Sequence, residues 1–157
     1  MIRPFKPIDE DTLIDIFQLN VPRYFDPKEI EDFRQYLARH SDTYLTIEHD
    51  GKIVGGAGYY INTIHHSGSI TWIFFHPDVA GRGLGMAVVA YCMKIFNADP
   101  GIKKLVVTTS QLAWKFFEKC GYQLIRTEKD YWGKGLDLYL MERDNTPPEE
   151  GARDKRY

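Results

Sequence analysis

The amino-acid sequence predicts an α/β chain (α+β by some schemes), with a mixed central sheet of about seven strands and helices on both faces. Three observations carry that prediction. The hydrophobic period switches repeatedly between strand and helix values, in the order β, α, α, β, β, β, α, β, α, β, β. A strand of β-branched and aromatic residues, 69–75, runs through a glycine-rich turn into an almost uniformly apolar helix. The 157 residues, 43% of them apolar, suffice for one domain with a sizeable core and not for two.

Residues 2–6 form a short strand. Asp9 or Asp11 can cap a first helix that carries Leu13, Ile14 and Phe17 on one face, and Val21-Pro22 breaks it. Asp26 followed by Pro27 reads as an N-cap with proline at the first helical position. The helix that follows, to about Arg39, buries Ile30, Phe33 and Leu37 and exposes its charges. Residues 43–48 and 52–61 pair about an Asp50-Gly51 turn. Gly55, Gly56 and Gly58 weaken the second of these strands and signal a bulge or a close approach by another chain or a ligand. Beyond strand 69–75, the helix at 86–96 has Lys94 as its only charge, so it is covered on more than one side. Residues 103–109 are a buried-type strand, and 111–119 an aromatic-rich helix closed by Gly121. Two last strands, 122–127 and 136–141, are joined by the loop EKDYWGKG. From Asp144 the chain carries two prolines, a glycine and seven charges without apolar periodicity, so a domain over residues 1–143 and a charged tail over 144–157 are expected.

Twenty Lys and Arg against 22 Asp and Glu leave a net charge of −2, which argues against a dedicated nucleic-acid binder but not against a local anion site. Cys92 and Cys120 are too few for a disulfide framework and match no metal spacing, so no metal is expected. No apolar run approaches the roughly 18 to 20 residues of a membrane helix. The start, MIRPFKPIDEDTL, has no apolar stretch of the signal-peptide kind, and a cytoplasmic protein without a membrane partner is expected.

The segment richest in chemistry is IFFHPDVAGRGLGMAVV, residues 73–89. A helix start offers unpaired N–H groups and the positive end of its dipole. Glycines at 81, 83 and 85 let an anion approach them, and Arg82 adds a positive charge, so the turn can cradle a phosphate. A tight turn without a ligand is the competing reading. Two familiar cradles do not match. No Gly-x-x-x-x-Gly-Lys-Ser/Thr string exists, and Gly-x-Gly-x-x-Gly/Ala fails at Met86 or at Val88, depending on the starting glycine.

HPDVAGRGLGMAVV resembles motif A of the GNAT family of N-acetyltransferases, Gln/Arg-x-x-Gly-x-Gly/Ala between a strand and a helix. SQLAWKFFEKCGYQLI resembles that family's motif B, Asn-x-x-Ala-x-x-x-Tyr-x-x-x-Gly-Phe, and the strand KKLVVTTS lies between them as in the family. The resemblance extends over residues 2–142 in element order and over 69–125 in motifs. It implies a sheet splayed between strands 69–75 and 103–109, with acetyl-CoA as co-substrate. The pyrophosphate would be gripped by backbone amides of Gly81, Arg82, Gly83, Leu84, Gly85 and Met86. The pantetheine arm would pair with the backbone of Ile73 and Phe75, with Ser110 and Phe117 on the motif B side. An amide-containing arm needs a free strand edge, so the physical reading agrees. The implied reaction is direct transfer of acetyl to a primary amine through a tetrahedral intermediate. Dimers are frequent in the family, so a homodimer is among the partners it implies.

The sequence departs from the family at four places. The Gln/Arg position is Ala80, the motif B Asn is Ser110, and the Tyr that would protonate the leaving thiolate is Phe117, which has no proton to give. The acidic residue some members carry on the motif A strand falls near Ser69 or Thr71. These two and His76 are the candidate proton carriers. His76, before a proline at a strand end, reads first as structural, and strand hydroxyls usually pair locally. His65 and His66 read as solvated, and Cys120 as packing. Tyr24, Phe25, Tyr131 and Trp132 are candidates for an acceptor wall. Lys103, Lys104, Lys115 and Lys119 either favour the 3′-phosphate of CoA or form a solvated face. The rival readings are a catalytically weak acetyl-CoA sensor or scaffold, which Phe117 favours, and an acyltransferase using a different acyl-CoA.

Overall fold

A computed structural model describes residues 1–146, and residues 147–157, most of the expected charged tail, lie outside the described residues. The elements are β1 (Ile2–Pro4), α1 (Glu10–Leu19), α2 (Glu29–His40), β2 (Tyr44–His49), β3 (Lys52–Asn62), β4 (Ser67–Phe75), α3 (Leu84–Asn97), β5 (Lys104–Thr109), α4 (Trp114–Lys119), β6 (Gln123–Gly133) and β7 (Leu136–Asp144). Their order is the predicted one. The seven strands form one mixed sheet, β1-β2-β3-β4-β5-β7-β6, antiparallel except where β4 meets β5.

Helices cover both faces. Leu13, Ile14, Ile16 and Phe17 of α1 and Phe33 and Leu37 of α2 pack on Tyr44 and Phe74. On the other face Val88, Val89, Cys92 and Phe96 of α3 and Phe117 of α4 pack on Leu45, Ile70, Leu105, Val107 and Met141. Each such side chain contributes about 1.5–3 kcal/mol by leaving water, which fixes the two helical layers on the sheet.

Asp9 stands at the N-cap of α1, one of the two expected positions, but its side chain makes no capping bond to that helix. Its carboxylate accepts the Lys6 N–H at 2.8 Å, the Thr46 hydroxyl at 3.0 Å and both Arg3 Nη groups at 2.8 and 2.9 Å. Bidentate charge-assisted bonds outcompete a single cap bond. Arg3, and then the N–H and hydroxyl donors, hold the buried Asp9 carboxyl at about 2 against the penalty of burial. The pair ties β1 to the start of α1.

Two further differences have local causes. Residues 128–135, expected as a loop, are mostly paired strand, with Gly135 turning the chain at φ +81°. β6 is an edge strand exposed from Gln123 through Tyr131, so it shows no buried alternation. The glycines of β3 mark a bulge opposite β4, and the close approach there is made by the chain's own tyrosines. A Cβ at Gly56 would collide with the Tyr44 hydroxyl, and one at Gly58 with the Tyr36 hydroxyl. Among the described residues no helix is long and apolar enough to cross a membrane, and no three His, Cys, Asp or Glu side chains gather to hold a metal.

Candidate active site

β4 pairs with β5 only at Ser67, Gly68 and Ser69. Beyond Ser69, β4 stays with β3 while β5 follows β7. The sheet therefore parts, and a cleft of about 740 Å³ opens between residues 70–75 and 108–110. The His76 N–H donates to the Val54 carbonyl on β3 at 2.7 Å. Backbone groups alternate along a strand, so those of Phe75 and Ile73 turn to the open side.

The bulge re-aims β4 at this opening. Gly58 pairs with Thr71 and Gly56 with Phe74, so Ala57 alone faces both Trp72 and Ile73. Thr71 and Trp72 then point to the same face. Thr71 Oγ1 lies 3.4 Å from the Tyr36 hydroxyl, and the Trp72 ring packs 5.5 Å from Phe33 and 5.9 Å from Tyr36. Trp72 has φ +49°, a region rare for a bulky residue, and its carbonyl accepts the Tyr44 hydroxyl at 2.9 Å.

One wall of the site is backbone. A turn after β4, in which His76 Nδ1 accepts the Asp78 N–H at 3.1 Å, leads into the glycine loop. Gly81 and Gly83 have φ of +80° and +75°, and the space in front of each is open. Gly83 is the N-cap of the 14-residue α3, whose first turn contains no acidic residue. Among the described residues, the N–H groups of Gly81, Arg82, Gly83, Leu84, Gly85 and Met86 find no protein acceptor. Six successive donors at the positive end of a helix suit a diphosphate.

The opposite wall is made of side chains from residues 19–29 and from the β6–β7 hairpin. Asn20 is buried and its amide donates to the carbonyls of Ile16 at 3.1 Å and Phe75 at 3.0 Å, which seals the end of α1 to the end of β4. Phe25 stacks on Trp72 with ring centres 6.4 Å apart. The Asp26 carboxylate accepts the Lys28 N–H at 3.0 Å, and the Asp26 N–H donates to Glu29 Oε2 at 2.8 Å, a capping box at the start of α2. Glu29 lines the cleft and is only 7% exposed. Burial pushes its carboxyl above the ordinary range, Asp26 and Asp32 add to this, and the Asp26 N–H and Lys28 oppose it. Trp132 enters from the hairpin, its Nε1 donating to the Thr109 carbonyl at 3.0 Å. Beside it Gly133 abuts Asp26, where any side chain would strike the carboxylate.

Of the residues singled out from sequence, Thr71, Ile73, Phe75, His76, Ser110 and Phe117 line the cleft, and the glycine loop follows its rim at Ala80. Ser69 stands where β4 and β5 are still paired, outside the cleft. His76 uses one ring nitrogen to cap its turn. Ser110 is buried, and its hydroxyl accepts the Leu112 N–H at 3.2 Å. Phe117 packs edge-on against Phe116 and Tyr122. Tyr24, Phe25 and Trp132 line the cleft, whereas Tyr131 is half exposed and only abuts Trp132. Burial raises the Cys120 thiol, which lies 3.7 Å from the Met86 sulfur, as packing and not nucleophilic chemistry requires. Lys104 faces Asp144 at 3.4 Å, and Lys115 lies over the Trp114 ring at 5.5 Å. Glu29, Asn20 and Arg23 were not anticipated. The Asp26-x-x-Glu29 spacing signals a capping box, but nothing in it signals a cleft.

Comparison with known proteins agrees with this geometry. The model of the Acetyltransferase (GNAT) family matches residues 12–122. An N-alpha-acetyltransferase of Sulfurisphaera tokodaii is 25% identical, over 89% of this chain and 90% of its own length. An acetyltransferase of Pectobacterium atrosepticum is 28% identical, over 79% of this chain and 88% of its own. Among solved structures, an aminoglycoside 6′-N-acetyltransferase complexed with coenzyme A shares the fold with a TM-score of 0.73 at 15% identity, over 96% of this chain and 99% of that one. The parted sheet, the glycine-capped helix and the family match lead to one conclusion: the chain belongs to the GNAT family of acetyltransferases.

Proposed function

We propose that the protein transfers an acetyl group from acetyl-CoA to a primary amine. The observation that carries this reading is the run of six unpartnered N–H groups at residues 81–86 beside an open strand edge. The residues present fit the co-substrate: the N–H groups and Arg82 would hold its diphosphate, and the backbone of Ile73 and the N–H of Phe75, whose carbonyl already accepts from Asn20, its amide-bearing arm. Acetyl-CoA supplies an acyl group already activated as a thioester. The relative complexed with coenzyme A and the relative called an N-alpha-acetyltransferase support donor and acceptor class respectively.

The protein's own tasks are then few. An alkylamine with a pKa of about 10.4 is neutral in only about one molecule per thousand at pH 7, so a proton must be taken from it. The free N–H of strand 73–75 would donate to the negative charge that develops on the acyl oxygen. A thiol of pKa about 8.5 leaves as thiolate without a strong acid when the partners are well oriented, so Phe117 weakens the reaction without preventing it. Phe117 is also the observation that favours the rival reading, an acetyl-CoA sensor without turnover.

The test is calorimetric titration with acetyl-CoA, followed by thiol release in the presence of amines. Saturable binding with amine-dependent release is expected. Binding without release from any amine would favour the sensor, and absence of binding would overturn both readings.

A further inference from the structure

The acceptor side of the cleft carries a charge pattern that selects among amines. Among the described residues lining the cleft, Glu29 alone bears a carboxylate. The other ionisable side chains on the described lining are the basic Arg23 and the imidazole of His76. Arg23 is exposed on the segment between α1 and α2 and lies over the Tyr24 ring at 5.1 Å. Beside Asn20, the rest of the acceptor wall is mostly apolar and aromatic: Leu19, Tyr24, Phe25, Trp72 and Trp132.

Glu29 is held for use. Its Oε2 accepts the Asp26 N–H, which fixes the rotamer, and its Oε1 accepts no hydrogen bond from the described residues. A buried carboxylate with one oxygen committed and one free, in an apolar cleft, is poised to receive an N–H donor. The charges facing it are Asp26, Lys28 and Asp32 on its own helix start and, across the cleft lining, Arg23 and His76.

Resting on the acetyl-transfer reading, we infer that Glu29 receives the acceptor's ammonium, and that the acceptor is a monoamine with an apolar, planar or branched body. A polyamine or an aminoglycoside carries several ammonium groups, and beyond the first these would find no second carboxylate on the described lining and would meet the like charge of Arg23. The apolar body of a monoamine packs on Phe25, Trp72 and Trp132 and gains from leaving water. The same chemistry is offered by a free arylalkylamine and by a peptide whose first residue is aromatic.

The proton balance follows. The Glu29 carboxylate takes one proton from the ammonium, and the neutral nitrogen forms its bond to the acyl carbon. The carbon–sulfur bond breaks with its electron pair on sulfur. The second nitrogen proton goes to that thiolate, giving free thiol. Glu29 returns its proton to solvent. The sum is ammonium and acyl thioester to amide, thiol and one proton.

Glu29→Gln tests the role without destroying the site, because glutamine can also accept the Asp26 N–H in the capping box. Thiol release from acetyl-CoA is measured for the full chain with phenethylamine, a peptide beginning with phenylalanine, spermidine and kanamycin. We expect kcat/KM for at least one of the first two to exceed both polycations by about tenfold or more. The Gln variant should lose about 100-fold or more in kcat/KM at pH 7, and the acidic limb of its pH profile should vanish. Its acetyl-CoA affinity and Tm should stay near those of the parent. A preference for spermidine or kanamycin, or full activity of Glu29→Gln with its acidic limb intact, overturns the inference while leaving acetyl transfer standing. Failure of the parent to bind acetyl-CoA overturns both.

Discussion

The two walls of the site are built from different material: the first is the glycine loop, which follows the rim of the cleft at Ala80, and the second lines the cleft itself. The wall at Gly81 to Met86 presents main-chain N–H groups, contributed by six consecutive residues at the start of one helix. The facing wall presents side chains, gathered from residues 19–29 on one side and from Trp132 on the other, more than a hundred positions away. The first wall needs glycine and a helix and little else. The second needs the whole sheet to be in place before Glu29, Trp72 and Trp132 meet. This difference predicts that damage to the first wall acts on the donor and damage to the second on the acceptor.

Gly83→Val should break the comparison most severely on the donor side. A β-branched residue cannot hold φ +75° without strain, so the N-cap and its N–H groups would move. A loss of about 10- to 100-fold in acetyl-CoA affinity is expected by calorimetry. An unchanged Kd would place the diphosphate elsewhere.

Acid should loosen the fold from a point outside both walls. Arg3 holds the buried Asp9 carboxyl at about 2, below its unfolded value of 3.8. A depressed carboxyl contributes stability above the unfolded pKa and loses it as pH falls through the folded one. Roughly 2 kcal/mol should therefore disappear between about pH 4 and pH 2. Denaturant midpoints across that range measure it, and Arg3→Ala should flatten this part of the profile while lowering stability at pH 7.

Asn20→Ala removes the seam between the walls. It leaves the carbonyls of Ile16 and Phe75 without the side-chain donor they share, which costs about 1–3 kcal/mol. The expected readouts are a lower Tm and a KM for amine that rises more than the Kd for acetyl-CoA. Equal change in both would mean that the walls are coupled and not separate.

Phe117→Tyr should have the smallest effect and sharpen the chemistry. It offers the leaving sulfur a proton that the present side chain lacks, and a kcat gain below about tenfold is expected. A large gain would show that thiolate departure limits the reaction.

The donor wall was legible because its determinants are local. Gly81 and Gly83 mark positive φ, and the apolar run after them marks a helix whose start is free. The order of eleven elements was legible for the same reason, since the periods of strand and helix are written in neighbouring residues. The acceptor wall was not legible. Glu29 reads as one more charge on the exposed face of α2, because its burial in the cleft it lines together with residues 70–75 and 132 is set by tertiary packing. Thr71 and Trp72 were separated by alternation in sequence, yet the bulge opposite Ala57 turns both to one face. β6 hid its length because an edge strand exposed on both faces has no apolar period.

By itself the sequence determined the layered fold and the glycine-capped helix start with its free N–H groups, since both follow from propensities and dipoles within a few residues. Only the tertiary structure decided where β4 leaves β5, which side chains converge there, and that, among the described residues, a single carboxylate lines the cleft together with aromatic rings. Those outcomes depend on contacts between distant segments, and burial, which sets the chemistry of Glu29, is a property of the packed molecule and not of the chain.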